Sequence, residues 1–135
     1  MTQFSGSCLC GAVSYEADCE LQRVVNCHCL DCQKATGSVH TTMVFVPEDG
    51  LKIKGYPSSY THTADSGSTM TKRFCSSCGT QLFSINSRRA GAVGIRAGTI
   101  SQKHIITPQL NIFCDSAVPS TPMDDRLPKY PKMPG

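Results

Sequence analysis

Short runs of alternating apolar and polar residues recur along this chain, each closed by glycine, proline, asparagine or serine. A period of two marks a strand with one buried face, and turn residues at such spacing point to antiparallel pairing. Strands are predicted over Ala12–Glu16, which leaves a tight turn at Cys10-Gly11, and over Leu21–Val25. His40–Val46 and Leu51–Lys54 read as a hairpin joined by a turn at Pro47–Gly50, and Tyr60–His62 with Thr69–Phe74 as a second one around the polar loop 65–68. Gln81–Ile85, Ala92–Arg96 and Leu110–Cys114 are three further candidates. Leu30–Thr36 suits a helix of two turns at most, stopped by Gly37. The predicted class is mostly β, built of short antiparallel sheets with one short helix.

At 135 residues the chain is expected to form a single domain, 1–135, with a core of ordinary size. Residues 115–135 hold five of the eight prolines, so this tail should lie extended over the surface. No apolar run approaches the roughly 18 residues needed to span a bilayer. Residues 1–20 lack a basic start followed by an apolar run, which predicts a cytoplasmic protein.

Composition changes this picture in one respect: nine of the residues are cysteine. The number is odd and the density is below that of disulfide scaffolds, so metal ligation in a reducing compartment is the expected use. Cys27-His28-Cys29-Leu30-Asp31-Cys32 sets three thiols too close to pair in ordinary disulfides, whereas one zinc ion can gather several thiolates. Three protein ligands leave a tetrahedral position free, the mark of a zinc site that can do chemistry. Cys8-x-Cys10-Gly11 and Cys75-x-x-Cys78-Gly79 form a second set, two tight pairs closed by glycine, as in four-thiolate structural zinc. Iron of the rubredoxin type would use two CxxC turns, and the first pair here is CxC. The formal charge of +3 falls to zero if seven cysteines ligate two zinc ions as thiolates. The scattered lysines and arginines give no basic face for nucleic acid.

Two cysteines remain. Cys19, on the polar segment 17–22, is read as a surface or loop thiol, and Cys114, at the end of an apolar strand, as core packing. Either could close the central site as a fourth ligand. His28 sits between two metal-directed neighbours and is assigned a place beside the metal or in solvent; His40, His62 and His104 are read as strand residues.

Gly6-Ser7-Cys8-Leu9-Cys10-Gly11-Ala12-Val13-Ser14-Tyr15, then Cys27-His28-Cys29 through Cys32-Gln33-Lys34 and Gly37, then Phe74-Cys75 through Cys78-Gly79-Thr80-Gln81-Leu82-Phe83, together resemble the glutathione-dependent formaldehyde-activating enzymes, a family that includes the centromere protein V domain. The resemblance implies a β-tent fold and two zinc ions: a structural one on Cys8, Cys10, Cys75 and Cys78, and a catalytic one on Cys27, Cys29 and Cys32. The family's tryptophan near Ala117-Val118-Pro119 has no counterpart in this chain.

The implied activity is a carbon–sulfur lyase reaction run in the adding direction, joining glutathione or a similar thiol to formaldehyde or another small aldehyde. Glutathione is anionic, and Lys34 and Arg73, which flank the two motifs, are the candidate contacts. A binding module with two structural zinc ions is the alternative, and an open three-cysteine site speaks against it. A methionine sulfoxide reductase would need Cys114 as nucleophile, but no arginine stands two residues before it.

Overall fold

The computed structural model describes residues 1–134. Ten strands form two sheets: β1 (Thr2–Ser7), β2 (Ser14–Cys19) and β5 (Leu51–Lys54) in a three-stranded sheet, ordered β1-β2-β5. The other is seven-stranded, β10-β3-β4-β9-β8-β7-β6, from β3 (Arg23–Cys27), β4 (Thr41–Pro47), β6 (Ser58–Thr63), β7 (Thr69–Phe74), β8 (Gln81–Asn86), β9 (Ala92–Arg96) and β10 (Leu110–Ile112). One helix, α1 (Leu30–Thr36), interrupts them, capped by Gly37 in the left-handed region. The mostly β class is as expected.

Three expectations are corrected. β4 and β5 are not a hairpin: β4 pairs with β3 and β9, and β5 with β2. A single 3-10 turn at Glu48–Gly50 carries the chain from one sheet to the other, and a Cβ at Gly50 would stand 2.6 Å from Cys19 Cβ, so the crossing is close. β1 has no counterpart among the predicted strands; Phe4 and Gly6 face inward while Thr2 to Ser7 pair with β2, although the sequence there is polar. β10 runs parallel to β3 and stops at Ile112, because Phe113 takes φ 56°, a left-handed conformation that no strand can use. Elsewhere the pairing is antiparallel, and the β6–β7 hairpin stands as predicted.

The parity of each strand decides what its residues do. Val24, Val44, Ile95 and Phe83 are register partners on one face of the large sheet and are buried against the small sheet. Tyr15 anchors this core, edge-on to Phe83 at 5.3 Å, with its hydroxyl 2.8 Å from Thr99 Oγ1. The opposite face carries Val25, Met43 and Arg96 in one row, and Arg23, Phe45, Gly94, Ser84 and Lys72 in the next. That second face is not covered by a sheet. A cavity of about 240 Å³ lies over it. Gly94 keeps it open at the floor, since a Cβ there would meet Met43 Cε at 2.5 Å.

Residues 115–134 turn back along β10. Asn111 bridges Lys129 in parallel, Phe113 N–H donates to Lys132 O, and Cys114 N–H donates to Tyr130 O. Met133 thereby reaches the cavity wall. Gly135 of the predicted tail lies outside the described residues.

Candidate metal centres and the cavity between the strands

Two turns make the first cluster. Gly11 N–H donates to Cys8 O and Gly79 N–H to Cys75 O, each glycine at φ near 80°, so each turn closes tightly and turns its sulfurs the same way. The four sulfurs of Cys8, Cys10, Cys75 and Cys78 lie within 4.8 Å of one another. Cys8 to Cys10 and Cys10 to Cys75 are both 3.7 Å. A tetrahedron of sulfurs about 2.3 Å from a zinc ion has edges of about 3.8 Å, so the donor set fits. Donors support the charge: Val13 N–H reaches Cys8 Sγ at 3.3 Å, and the Thr80 hydroxyl, the Thr80 N–H and the Cys10 N–H hold the Cys78 thiol down at about 5. The cluster ties the small sheet to the β7–β8 end of the large one.

The second cluster sits at the cavity. Cys27 ends β3 on its cavity face, Cys29 is the N-cap of α1, and Cys32 lies one turn on, donating its N–H to Cys29 Sγ at 3.3 Å. Their three sulfurs are within 4.8 Å of one another, with Cys32 and Cys27 3.4 Å apart. Neither Cys19 nor Cys114 joins them. The trio could hold one metal ion with a side left for another ligand. Cys32 is the thiol that ionises first, brought to about 2 by hydrogen bonds from Cys27 and Cys29 and by the Arg96 guanidinium. Cys27 is pushed up by hydrogen bonding to Cys29 and Cys32 and by burial.

Cys19 is corrected from a surface thiol to a buried one, 4% exposed at the end of β2, where burial and the carboxylates of Asp18 and Asp49 raise it. The polar residues around it alternate outward. Cys114 is corrected from strand to a 3-10 turn, half-buried and away from the cavity lining.

His28 is buried rather than in solvent, with Nε2 3.0 Å from Asn111 Oδ1 and its ring 5.2 Å from that of His40. His40 lies just before β4 and is lowered by burial and by His28. His62 is on β6 as read; His104 lies in an exposed 3-10 turn instead of a strand. Gln33 of the central motif locks α1 in place, its Nε2 donating to His28 O at 2.9 Å and to Ser116 O at 3.0 Å.

Neither Lys34 nor Arg73 lines the cavity. Lys34 is exposed on α1, and Arg73 pairs with Phe83 on the opposite face of the sheet. The cations that do line it are Arg23, Lys72, Arg89 and Arg96, against two carboxylates, Asp31 and Asp65. Lys72 was one residue from the predicted Arg73, and only its strand parity separates them. Arg23 and Arg89 flank the Phe45 ring at 5.0 and 5.8 Å, while Lys72 and Arg96 are buried, 6% and 4% exposed. Burial lowers Lys72, and its Nζ donates to His62 Nε2 at 2.8 Å. Ile112, Phe113, Ser116 and Met133 also line the cavity, and Ala117, Val118 and Pro119 do not.

The model of the glutathione-dependent formaldehyde-activating enzyme family matches residues 3–116. Among solved structures, the crystal structure of a Rhodobacter sphaeroides protein shares the fold, with a TM-score of 0.60 at 15% identity over 93% of this chain and 98% of that one. No curated protein matches the chain.

Proposed function

Because this chain belongs to the glutathione-dependent formaldehyde-activating enzyme family, we propose that its cavity joins a thiol of the glutathione type to a small aldehyde, with zinc on Cys27, Cys29 and Cys32 and a second, structural zinc on Cys8, Cys10, Cys75 and Cys78. Carbon–sulfur lyase chemistry in a cytoplasmic enzyme is the reading that follows. The single observation that carries it is the open side of the cysteine trio facing a cation-lined cavity.

Zinc held there would supply a position at which a thiol is kept as thiolate at neutral pH. The chain's own residues do the rest. Arg96, with Nη1 3.9 Å from Cys32 Sγ, sets a positive charge beside the thiolates. Ile112, the register partner of Cys27, and Phe113 next to it are the apolar residues that would exclude water from the reacting sulfur. Arg23 stands four residues before Cys27 on the same strand face, about 13 Å away at 3.3 Å per residue. A tripeptide thiol with its sulfur at the trio would therefore bring its carboxylates towards Arg23 and Arg89.

Cobalt substitution tests the assignment. Glutathione added to the cobalt protein should change the absorption of the three-cysteine site alone, in a 1:1 titration, and the protein should speed adduct formation from glutathione and formaldehyde as followed by NMR. If no thiol perturbs either site, thiol activation is wrong and the fold serves as a binding module.

A further inference from the structure

Arg96 carries donors that the thiol and the metal do not use. Its residue is 4% exposed, its Nη1 faces Cys32 Sγ at 3.9 Å, and its Nε and Nη2 are buried with no hydrogen-bond partner among the described residues. Nε and Nη2 form one edge of the guanidinium, the edge that meets both oxygens of a carboxylate in parallel. A buried guanidinium edge is costly to leave unmade, and Arg96 is one of the residues that line the cavity, so an acceptor entering there would complete it. Lys72 lines the same cavity, 6% exposed, with one of its three donors taken by His62. None of the salt bridges among the described residues involves either cation, although Asp31 and Asp65 line the cavity too.

Charge does not by itself select the ligand. Three thiolates around a divalent ion leave one net negative charge and a bound substrate thiolate a second, which the two buried cations offset. The unpaired donors of Arg96 are therefore what mark the acceptor site. In glutathione the carboxylates are many bonds from the sulfur and would lie further along the cavity, towards Arg23. Arg96 touches a ligand of the reacting centre itself. An anion that meets it must sit next to the reacting carbon.

We propose that the Nε–Nη2 edge of Arg96, with Lys72, is a carboxylate site, and that the aldehyde taken by this protein is an aldehyde acid, with a carboxylate beside its carbonyl. This rests on the thiol and aldehyde reading above. The step adds the thiol S–H across C=O: the C–S bond forms, the carbonyl π bond opens, and the proton ends on the new hydroxyl, with no net oxidation or reduction. Arg96 and Lys72 hold the carboxylate and so turn the carbonyl carbon towards the sulfur.

Glyoxylate and glycolaldehyde, alike in size but differing in charge, separate the outcomes when titrated calorimetrically into the zinc-loaded full chain, with glutathione titrated separately. Glyoxylate should bind at least tenfold more tightly than glycolaldehyde. Arg96→Gln should abolish that preference, and Arg96→Lys, which keeps the charge but not the edge, should restore only part of it. If Arg96→Gln does not fold, competition in the wild type decides: acetate should displace glyoxylate and acetamide should not. Equal binding of the two aldehydes, or a preference that survives Arg96→Gln, overturns the carboxylate site while intact glutathione binding leaves the thiol reading standing. The reverse result, a preference that depends on Arg96 without any glutathione binding, would keep the carboxylate site and remove the thiol reading.

Discussion

Cys10 and Cys75 are 65 residues apart in the chain, and their sulfurs are 3.7 Å apart in space. One belongs to the turn after β1 and the other to the turn after β7, so the pair joins two sheets that share no backbone ladder. The contact is worth little between neutral thiols. As two corners of a metal site the pair would close a long loop.

Cys75→Ser should therefore act on the whole fold. A hydroxyl is a poor zinc ligand, and the released loop regains its entropy. The expected outcome is a melting temperature lower by more than about 10 °C, or loss of solubility, measured by calorimetry alongside the zinc content. Unchanged melting would show that the four cysteines do not clamp the sheets.

Cys29→Ser should leave the fold standing. Its site is local, spanning one strand end and the first turn of α1, so the loss should be one equivalent of zinc and at least about a hundredfold in the rate of adduct formation. Far-ultraviolet circular dichroism should match the wild type. A collapse of secondary structure would make the trio a folding element.

Lys72→Met should raise stability at neutral pH and cost function. Burial lowers the lysine in the folded protein below its value in the unfolded chain. The unfolded chain thus holds this proton more tightly, so the charged lysine opposes folding throughout the pH range below its lowered value. The opposition fades only as pH climbs from there towards the ordinary lysine range near 10.5. The methionine variant should melt a few degrees higher at pH 7, with the gain shrinking at alkaline pH. A lower melting temperature at pH 7 would mean that the ammonium is paired well enough to repay its burial.

Phe113 offers a test of backbone strain at the cavity wall. It is the only residue other than glycine with positive φ among those described, and that conformation costs a bulky residue roughly 1–2 kcal/mol. Replacement by glycine or alanine removes the same ring packing against the cluster of Val25, Cys27, Met43 and Ile112. Only glycine also relieves the backbone. Phe113→Gly should then be about 1 kcal/mol more stable than Phe113→Ala in urea titration, the reverse of the usual order. The usual order would show that Phe113 is unstrained.

The sequence by itself determined the elements and the grouping of the cysteines. Both are local: a two-residue period needs only a strand's own residues, and a CxC or CxxC turn brings its sulfurs together within a few bonds. Hence α1, β5, β7 and β9 fall where the pattern puts them, and the two sulfur clusters contain the seven residues expected. Only the tertiary structure decided which face each strand turns to the cavity. Lys72 and Arg73 are adjacent and equally basic, yet one is buried beside the trio and the other looks away, because the register of β7 against β8 sets the parity of both. Arg96 reads in the sequence as the polar end of an apolar strand. Its meaning comes from β4 and α1, more than fifty residues earlier, which bring Met43 and Cys32 beside it. Cys19 was hidden for the same reason: polar neighbours suggest a surface, but burial of every second residue depends on a sheet that the chain completes only at β5. Long-range pairing selects among faces that local periodicity leaves equivalent.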